Sequence, residues 1–164
     1  MKILLLLRHA KSSWKDESLS DFDRPLNERG KKAAQAIGRY IRKQKIVPDL
    51  VLSSPAIRAR ETTGIIITTA KLTAEIRYDQ RIYEADPPRL VQVLSQLEDT
   101  FSSVLLVGHN PGIEDLLSLL TGSSQHMPTA ALAKIRLEGV GDWSEISQAK
   151  AMLELMIKPR DITE

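Results

Sequence analysis

Short runs of consecutive apolar residues constrain the fold of this chain more than any other feature. Three such runs lie at residues 3–7, 50–52 and 103–107. An apolar run without polar alternation is typical of a strand buried on both faces of a parallel sheet. Segments with helical spacing of apolar residues separate these runs, as the crossover connections of parallel strands require. The sequence therefore predicts an α/β fold, a three-layer α/β/α sandwich with a mostly parallel central sheet.

Four helices are predicted between and after these strands. Asn27 is placed to cap the first helix, and Pro55, Pro87 and Pro111 stand at or near the first turn of the other three. The second helix includes residues 65–69, a β-branched run that favours a strand by propensity alone. We keep this segment helical because strands and helices alternate on either side of it.

The remaining segments are predicted from shorter patterns. Residues 76–78 and 131–137 are predicted strands, and residues 152–157 are a second late strand or a helix. Residues 11–23 are polar and form a loop that is long for a compact domain. Loops of this length are often functional.

Length and composition exclude several classes of protein. The chain has 164 residues, which predicts a single domain over residues 1–164. It has no cysteine, which excludes disulfides, thiolate metal sites and a cysteine nucleophile. A net charge of +2 is too close to balance to indicate a nucleic-acid or membrane partner. The apolar run at 3–7 is too short for a signal peptide, so we expect a soluble, cytoplasmic protein and, by default, a monomer.

Basic and imidazole side chains follow the ends of the buried strands. Arg8 and His9 follow the first strand, His109 follows the third, and Arg58 and Arg60 come soon after the second. Any one of these side chains alone could have a purely structural role, as a buried core histidine or a solvent-exposed helix arginine. Because the carboxyl ends of parallel strands meet at one edge of the sheet, we expect the group to converge there. His126 lies in a polar loop and is expected to be structural or exposed.

Two imidazoles and two guanidinium groups without an acidic cluster indicate a site for a tetrahedral anion. Guanidinium groups grip phosphate oxygens in pairs, and a neutral imidazole is a competent nucleophile toward phosphorus. A second, cationic imidazole could bind the transferring oxygens, so that the site would need neither Mg²⁺ nor another cofactor. The chain has no glycine-rich phosphate loop, which argues against nucleotide-driven transfer.

Three blocks of sequence resemble the histidine phosphatase superfamily, which includes the phosphoglycerate mutases. Leu-Arg-His-Ala at residues 7–10 resembles its Arg-His-Gly signature, and residues 53–62 and 107–111 resemble its second and third blocks. The blocks occur in the right order, and the resemblance covers roughly residues 2–137. Asp-Arg-Pro-Leu at 23–26 and Thr-Ala-Ala at 129–131 are similar to the SixA-type phosphohistidine phosphatase branch.

The resemblance implies a phosphoglycerate mutase-like fold and a role for each matching residue. His9 would be the nucleophile, Arg8 and Arg58 the phosphate clamp, and His109 the second phosphate-binding imidazole. No metal or other cofactor is implied. Glu84 is the best local candidate for the general acid, and a salt-bridge role for this loop carboxylate is equally open.

Some positions depart from the pattern of the superfamily. Ala10 replaces the usual glycine, and Lys11 and Lys15 stand where the mutases carry Glu and Asn, which argues against mutase specificity. Two residues after Arg58, Arg60 points to another side of the helix and is expected to be structural. Arg24 is a further, weaker candidate for a substrate contact.

The resemblance implies a metal-independent phosphatase that forms a phosphohistidine intermediate and acts on phosphohistidine of a partner protein. Two alternatives stay open. One is a phosphatase for small phosphomonoesters or sugar phosphates, and the other is a non-catalytic phosphate-binding regulatory module on the same fold.

Overall fold

A computed structural model describes residues 1–162 of the chain and arranges them around one six-stranded sheet. The strands are β1 (Lys2–Arg8), β2 (Leu50–Ser53), β3 (Glu75–Tyr78), β4 (Ser103–Gly108), β5 (Leu132–Glu138) and β6 (Lys150–Ile157). The α-helices are α1 (Glu28–Lys43), α2 (Ile57–Ala70), α3 (Pro87–Ser95) and α4 (Gly112–Thr121).

The sheet is mixed, with strand order β3-β2-β4-β1-β5-β6. The first four strands in this order are mutually parallel, while β5 pairs antiparallel with both β1 and β6. Five strands therefore point the same way, which confirms the predicted α/β fold with a mostly parallel sheet. As a consequence, the carboxyl ends of β1, β2, β4 and β6 lie at one edge, together with the start of β5.

Both faces of the central strands are buried, as the apolar runs predict. Along β1, Leu4 and Leu6 face one core with α3 and α4, while Leu5 and Leu7 face a second core with α1 and α2. All four leucines are at most 1% exposed. The burial of each side chain contributes about 1.5–3 kcal/mol relative to water, so β1 is anchored from both sides.

The β-branched run at 65–69 is helical because packing outweighs its strand propensity. Ile66 is fully buried in the second core. Gly38 of α1 lies so close to α2 that a Cβ atom there would be 2.7 Å from Cβ of Thr69. The tight α1–α2 contact therefore fixes this segment as a helix.

Other boundaries refine the sequence predictions. Asn27 caps α1 by accepting a hydrogen bond from the Gly30 amide at 2.7 Å, as predicted. Residues 152–157 are part of a strand, the first of the two alternatives. The predicted apolar face of α3 extended to Leu97, but the helix ends at Ser95. Among residues 1–162, no helix has the length and apolar character needed to cross a membrane.

Candidate active site

Four of the predicted site residues meet at the carboxyl edge of the sheet. Arg8 ends β1, His9 follows it, His109 directly follows β4, and Arg58 lies in the first turn of α2. The ring centroids of His9 and His109 are 5.0 Å apart, with the ring planes tilted by 53°. His9, His109 and Arg58 are each at least nine-tenths buried. The structure therefore forms one compact site from three separate strand ends.

The hydrogen bond of His9 determines which ring nitrogen is available for attack. Nδ1 lies 2.7 Å from the carbonyl oxygen of Ala10. A carbonyl can only accept, so the network assigns the proton of the neutral ring to Nδ1. Nε2 then carries the lone pair, and within residues 1–162 it forms no hydrogen bond. This is the arrangement that a nucleophilic imidazole requires.

Backbone hydrogen bonds hold the nucleophile segment in place from several elements. The His9 amide donates to the Gly108 carbonyl at 3.0 Å, and the Ala130 amide donates to the Arg8 and His9 carbonyls. The Ala10 amide donates to the Thr62 hydroxyl at 3.0 Å. These contacts fix the His9 ring relative to β4 and α2.

Burial keeps His9 uncharged. Desolvation by burial, together with the neighbouring Arg58 and Arg8 charges, lowers its pKa from 6.5 to about 4, although the Ala10 hydrogen bond acts in the opposite direction. The imidazole is therefore neutral near pH 7, the protonation state that a nucleophile needs.

His109 is held by Ser54 and leaves one nitrogen without a partner. Its Nε2 lies 2.7 Å from Oγ of Ser54, which also accepts a hydrogen bond from the Ala56 amide. The Ser54 hydroxyl can donate its proton to Nε2, and in that tautomer the imidazole proton lies on Nδ1. His109 Nδ1 is buried and has no hydrogen-bond partner among residues 1–162. A buried donor without a partner is costly, and an oxyanion would satisfy it.

The charge expected for His109 is a correction to the sequence prediction. A cationic second imidazole was predicted, but burial, together with the neighbouring His9, lowers the pKa of His109 to about 3. The ring is therefore neutral near pH 7. A phosphate dianion beside it would raise this pKa, because an opposite charge favours the protonated form.

The two clamp arginines are held by backbone carbonyls and one carboxylate. Arg8 donates from one terminal nitrogen to the Met127 carbonyl at 3.1 Å. Arg58 donates to the Asp21 carbonyl at 2.6 Å and to Oδ2 of Asp21 at 3.0 Å. Each terminal nitrogen carries two hydrogens, so donors remain on both guanidinium groups for an anion.

Asp21 is a site residue that the sequence analysis missed. Its Oδ2 accepts from the Tyr83 hydroxyl at 2.6 Å as well as from Arg58, and its Oδ1 accepts from Arg24 at 3.1 Å. These hydrogen bonds, that of Tyr83 first, lower the pKa of Asp21 to about 2. Burial and the same carboxylate raise the pKa of Tyr83 to about 12. A permanently charged carboxylate therefore sits on the phosphate clamp.

Glu84 lines a cleft of about 410 Å³ that also contains Arg58 and His109. We call this the acidic cleft, because its remaining charged side chains are Asp21, Glu84, Asp86 and Asp115. Glu84 is exposed and has a left-handed backbone conformation, with φ of 55°. Such a conformation is uncommon outside glycine and is worth a functional explanation.

A close backbone contact fixes the segment that carries Glu84. A Cβ atom at Gly112 would lie 2.1 Å from the carbonyl oxygen of Ala85, so only glycine fits there. The start of α4 therefore packs directly against the residue that follows Glu84.

The other basic candidates lie outside the clamp. Arg24 is buried and donates to Asp21 and to the Ser12 hydroxyl at 2.7 Å. Arg60 donates to the Pro55 carbonyl, and its guanidinium lies 3.9 Å from the Tyr78 ring centroid.

His126 and the lysines are more peripheral. The His126 side chain is 71% exposed and lies 3.0 Å from Oε2 of Glu114. Lys11 and Lys15 are exposed. Among residues 1–162, no three histidine or acidic side chains are grouped as a metal site would require.

Sequence similarity places the chain among known proteins. The sequence pattern of the histidine phosphatase superfamily (branch 1) matches residues 4–87. An uncharacterized protein of Mycobacterium leprae is 32% identical over 167 residues, which cover 94% of this chain and 100% of that protein.

Solved structures give the same result. The crystal structure of a candidate phosphohistidine phosphatase SixA from Agrobacterium tumefaciens superposes with a TM-score of 0.84 at 30% identity, covering 96% of this chain and 98% of that one. The protein histidine phosphatase SixA, solved with tungstate, has the same fold at 21% identity, with a TM-score of 0.83 and coverage of 97% and 98%.

Proposed function

The chain belongs to the SixA-type branch of the histidine phosphatase superfamily, and from this premise we propose that it is a metal-independent phosphatase acting on phosphohistidine of a partner protein. One observation carries the catalytic part of the proposal. The unprotonated Nε2 of His9 has no partner within residues 1–162 and lies among the Arg8, Arg58 and His109 side chains. We propose that residues 1–164 act as one such domain.

The reaction takes place in two displacements at phosphorus. In the first, the Nε2 lone pair of His9 forms a P–N bond while the bond to the leaving group breaks, and the leaving group takes a proton. In the second, a water oxygen forms a P–O bond, the P–N bond breaks, and its electron pair returns to Nε2. The water gives its proton to the group that protonated the leaving group, for which Glu84 is the candidate, and inorganic phosphate is released.

The clamp stabilises the charge that spreads over the phosphoryl oxygens. Arg8 and Arg58 each have terminal N–H groups left for these oxygens, and the Nδ1 proton of His109 is a third donor. Fixed donors of this kind commonly supply the largest part of the rate enhancement, a role that Mg²⁺ has in many other phosphoryl-transfer enzymes.

The acidic cleft supports a leaving group that is a base. Its carboxylates would repel a leaving group that carries its own carboxylate or second phosphate, and would attract one that leaves as a cation. An imidazole released from phosphohistidine has a pKa of about 6.5 and can leave protonated. Glu84, which lines this cleft, is the candidate donor of that proton.

The intermediate provides a direct test of the mechanism. We expect rapid acid-free quenching with labelled substrate to leave phosphate on His9, as a bond that is labile to acid and stable to base. Turnover of an activated aryl phosphate should persist in EDTA. His9→Ala should abolish turnover while the folded protein still binds tungstate through the clamp. Label on Ser12 or Ser13, or loss of activity in EDTA, would contradict the mechanism.

The substrate class is tested by competition between a phosphohistidine protein, the free phosphohistidine amino acid and a panel of sugar phosphates. We expect the protein to have the highest kcat/KM. A preference for sugar phosphates would instead assign the site to small phosphomonoesters. The absence of any turnover would indicate a phosphate-binding module.

A further inference from the structure

A second, oppositely charged depression lies at the same edge of the sheet. It is a groove of about 370 Å³ beyond the ends of β1 and β6 and the start of β5. We call it the basic groove, because its charged lining side chains are all cations: Lys11, Arg29, Lys158 and Arg160. The rest of the lining is Ala33, Pro128, Thr129 and Pro159.

The cations of the basic groove are largely uncompensated. Within residues 1–162, the side chains of Lys11, Arg29 and Lys158 form no ion pair, and Arg160 approaches Asp161 only at 4.0 Å. By contrast, Arg58 in the site is paired with a carboxylate at 3.0 Å. Unpaired cations that share a concave surface produce a local positive potential that attracts anionic partners.

The basic groove is held next to the nucleophile. Lys11 follows His9 by two residues, so their Cα atoms are at most about 7.6 Å apart. The Lys11 carbonyl accepts a hydrogen bond from the Asn27 amide at 3.0 Å, and a Cβ atom at Gly30 would lie 2.1 Å from the same oxygen. The Ala130 amide, adjacent to the groove, donates to the His9 carbonyl at 3.1 Å.

The two depressions share no lining residue, so a ligand that contacts both of them must be large. The acidic cleft lies beyond β2 and β4, whereas the basic groove lies beyond β1, β5 and β6. In an in-line displacement the leaving group extends away from the nucleophile in one direction. A small leaving group therefore occupies one depression, and only a large substrate contacts both.

We propose that the basic groove docks an acidic surface of the phosphoprotein substrate while its phosphorylated side chain enters the clamp. The inference rests on the proposed function and adds a substrate class to it: phosphohistidine proteins with an acidic surface near the modified residue. Complementary charge of this kind mainly accelerates association, so it acts on kcat/KM at low salt.

The test uses histidine peptides phosphorylated with potassium phosphoramidate. One set has an Asp/Glu run before or after the phosphohistidine, and a matched set has Ser in its place. For the wild type we expect the acidic peptides to have a kcat/KM about tenfold higher, and the advantage to disappear as NaCl is raised.

Charge reversal separates the groove from the catalytic machinery. The double variant Arg29→Glu/Lys158→Glu should lose the preference for acidic peptides and keep the wild-type rate on the Ser peptides and on an aryl phosphate. Lys71→Glu/Lys150→Glu is the matched control, because Lys71 follows α2 and Lys150 begins β6, at the other edge of the sheet. Circular dichroism checks that both variants are folded.

Three results would overturn the inference. One is equal rates on the acidic and Ser peptides at low salt, and another is equal losses in the two double variants. The third is a loss of activity in Arg29→Glu/Lys158→Glu that is confined to sugar bisphosphates. That result would assign the groove to the second phosphate of a small substrate. Failure of the proposed function looks different: the wild type would hydrolyse the aryl phosphate and neither set of peptides.

Discussion

Asp21 holds Arg58 with two groups at once: its main-chain carbonyl accepts a hydrogen bond from one terminal nitrogen at 2.6 Å, and its carboxylate accepts from the other at 3.0 Å. The carboxylate occupies an N–H donor of the kind that a phosphate oxygen uses. Asp21 therefore orients the clamp and, at the same time, competes with the substrate for it.

Asp21→Asn should tighten the binding of inorganic phosphate or tungstate by about tenfold, because it removes a negative charge beside the anion. The main-chain carbonyl that holds Arg58 remains in this variant. Inhibition constants against an aryl phosphate measure the effect, and Asp23→Asn in the same turn is the control. Weaker binding in Asp21→Asn would mean that orientation of Arg58 outweighs the charge competition.

Arg58→Ala should lower kcat by about 10²–10³-fold, or roughly 3–4 kcal/mol, if Arg58 acts mainly in the transition state. Arg60→Ala removes a guanidinium from the same helix, but this group packs on the Tyr78 ring outside the acidic cleft. Its loss should be far smaller. Steady-state kinetics of the two variants measure the difference. A larger loss of kcat in Arg60→Ala would show that Arg60, and not Arg58, is the clamp residue.

Glu84→Gln should slow the hydrolysis of alkyl phosphomonoesters much more than that of phosphohistidine. An alkoxide, with a parent pKa of about 16, needs a proton in order to leave, whereas imidazole, at about 6.5, needs little help. The ratio of kcat/KM for the two substrates measures this difference. Equal losses of kcat/KM on both substrates would indicate that Glu84 acts in positioning or in water activation. No loss on either substrate would mean that Glu84 has a structural role, and Asp86 would be the next candidate for the general acid.

The two histidines should make the protein less stable in mild acid. Burial lowers the pKa of His9 to about 4 and that of His109 to about 3, below the usual 6.5. Between pH 6.5 and 4 the unfolded chain binds protons that the folded chain does not. The free energy of unfolding should therefore fall as the pH drops through this window.

Denaturant titrations at several pH values measure this dependence, and NMR titration of the imidazole protons gives the pKa values directly. His9→Gln should reduce the slope between pH 6.5 and 4 by about one proton. An unchanged slope, or a His9 pKa near 6.5, would show that the imidazole is solvated rather than buried.

Gly112→Ala should destabilise the fold by about 1–3 kcal/mol, because the added methyl group would meet the Ala85 carbonyl oxygen at 2.1 Å. The displaced backbone also carries Glu84. Gly64→Ala is a matched control on α2, where an added Cβ atom meets no atom of residues 1–162 within 4 Å, and it should stabilise the helix by about 0.5–1 kcal/mol. Denaturant unfolding of both variants tests the difference in sign.

The sequence predicted those parts of the molecule that depend on local patterns. Apolar runs located β1, β2 and β4, and the rule that strand ends converge brought His9, His109 and Arg58 together. Asp21 gave no such signal, because its partners Arg58 and Tyr83 lie 37 and 62 residues away and meet it only through the fold.

Two hydroxyl groups of the site were equally hard to foresee. Ser54 and Thr62 lie within the 53–62 block, but nothing in their spacing indicates that they hold His109 and Ala10. The charge of His109 was missed because desolvation depends on the surroundings of the ring rather than on its neighbours in sequence.

The Thr62 hydroxyl has a consequence for how the molecule fluctuates. It accepts a hydrogen bond from the Ala10 amide and donates one to the Arg58 carbonyl at 2.7 Å, so a single side chain ties the nucleophile segment to the helix that carries the clamp. A local opening that frees the first turns of α2 also breaks this hydrogen bond to the nucleophile segment. We therefore expect the nucleophile segment and the first turns of α2 to lose order together on heating, before the sheet beneath them unfolds.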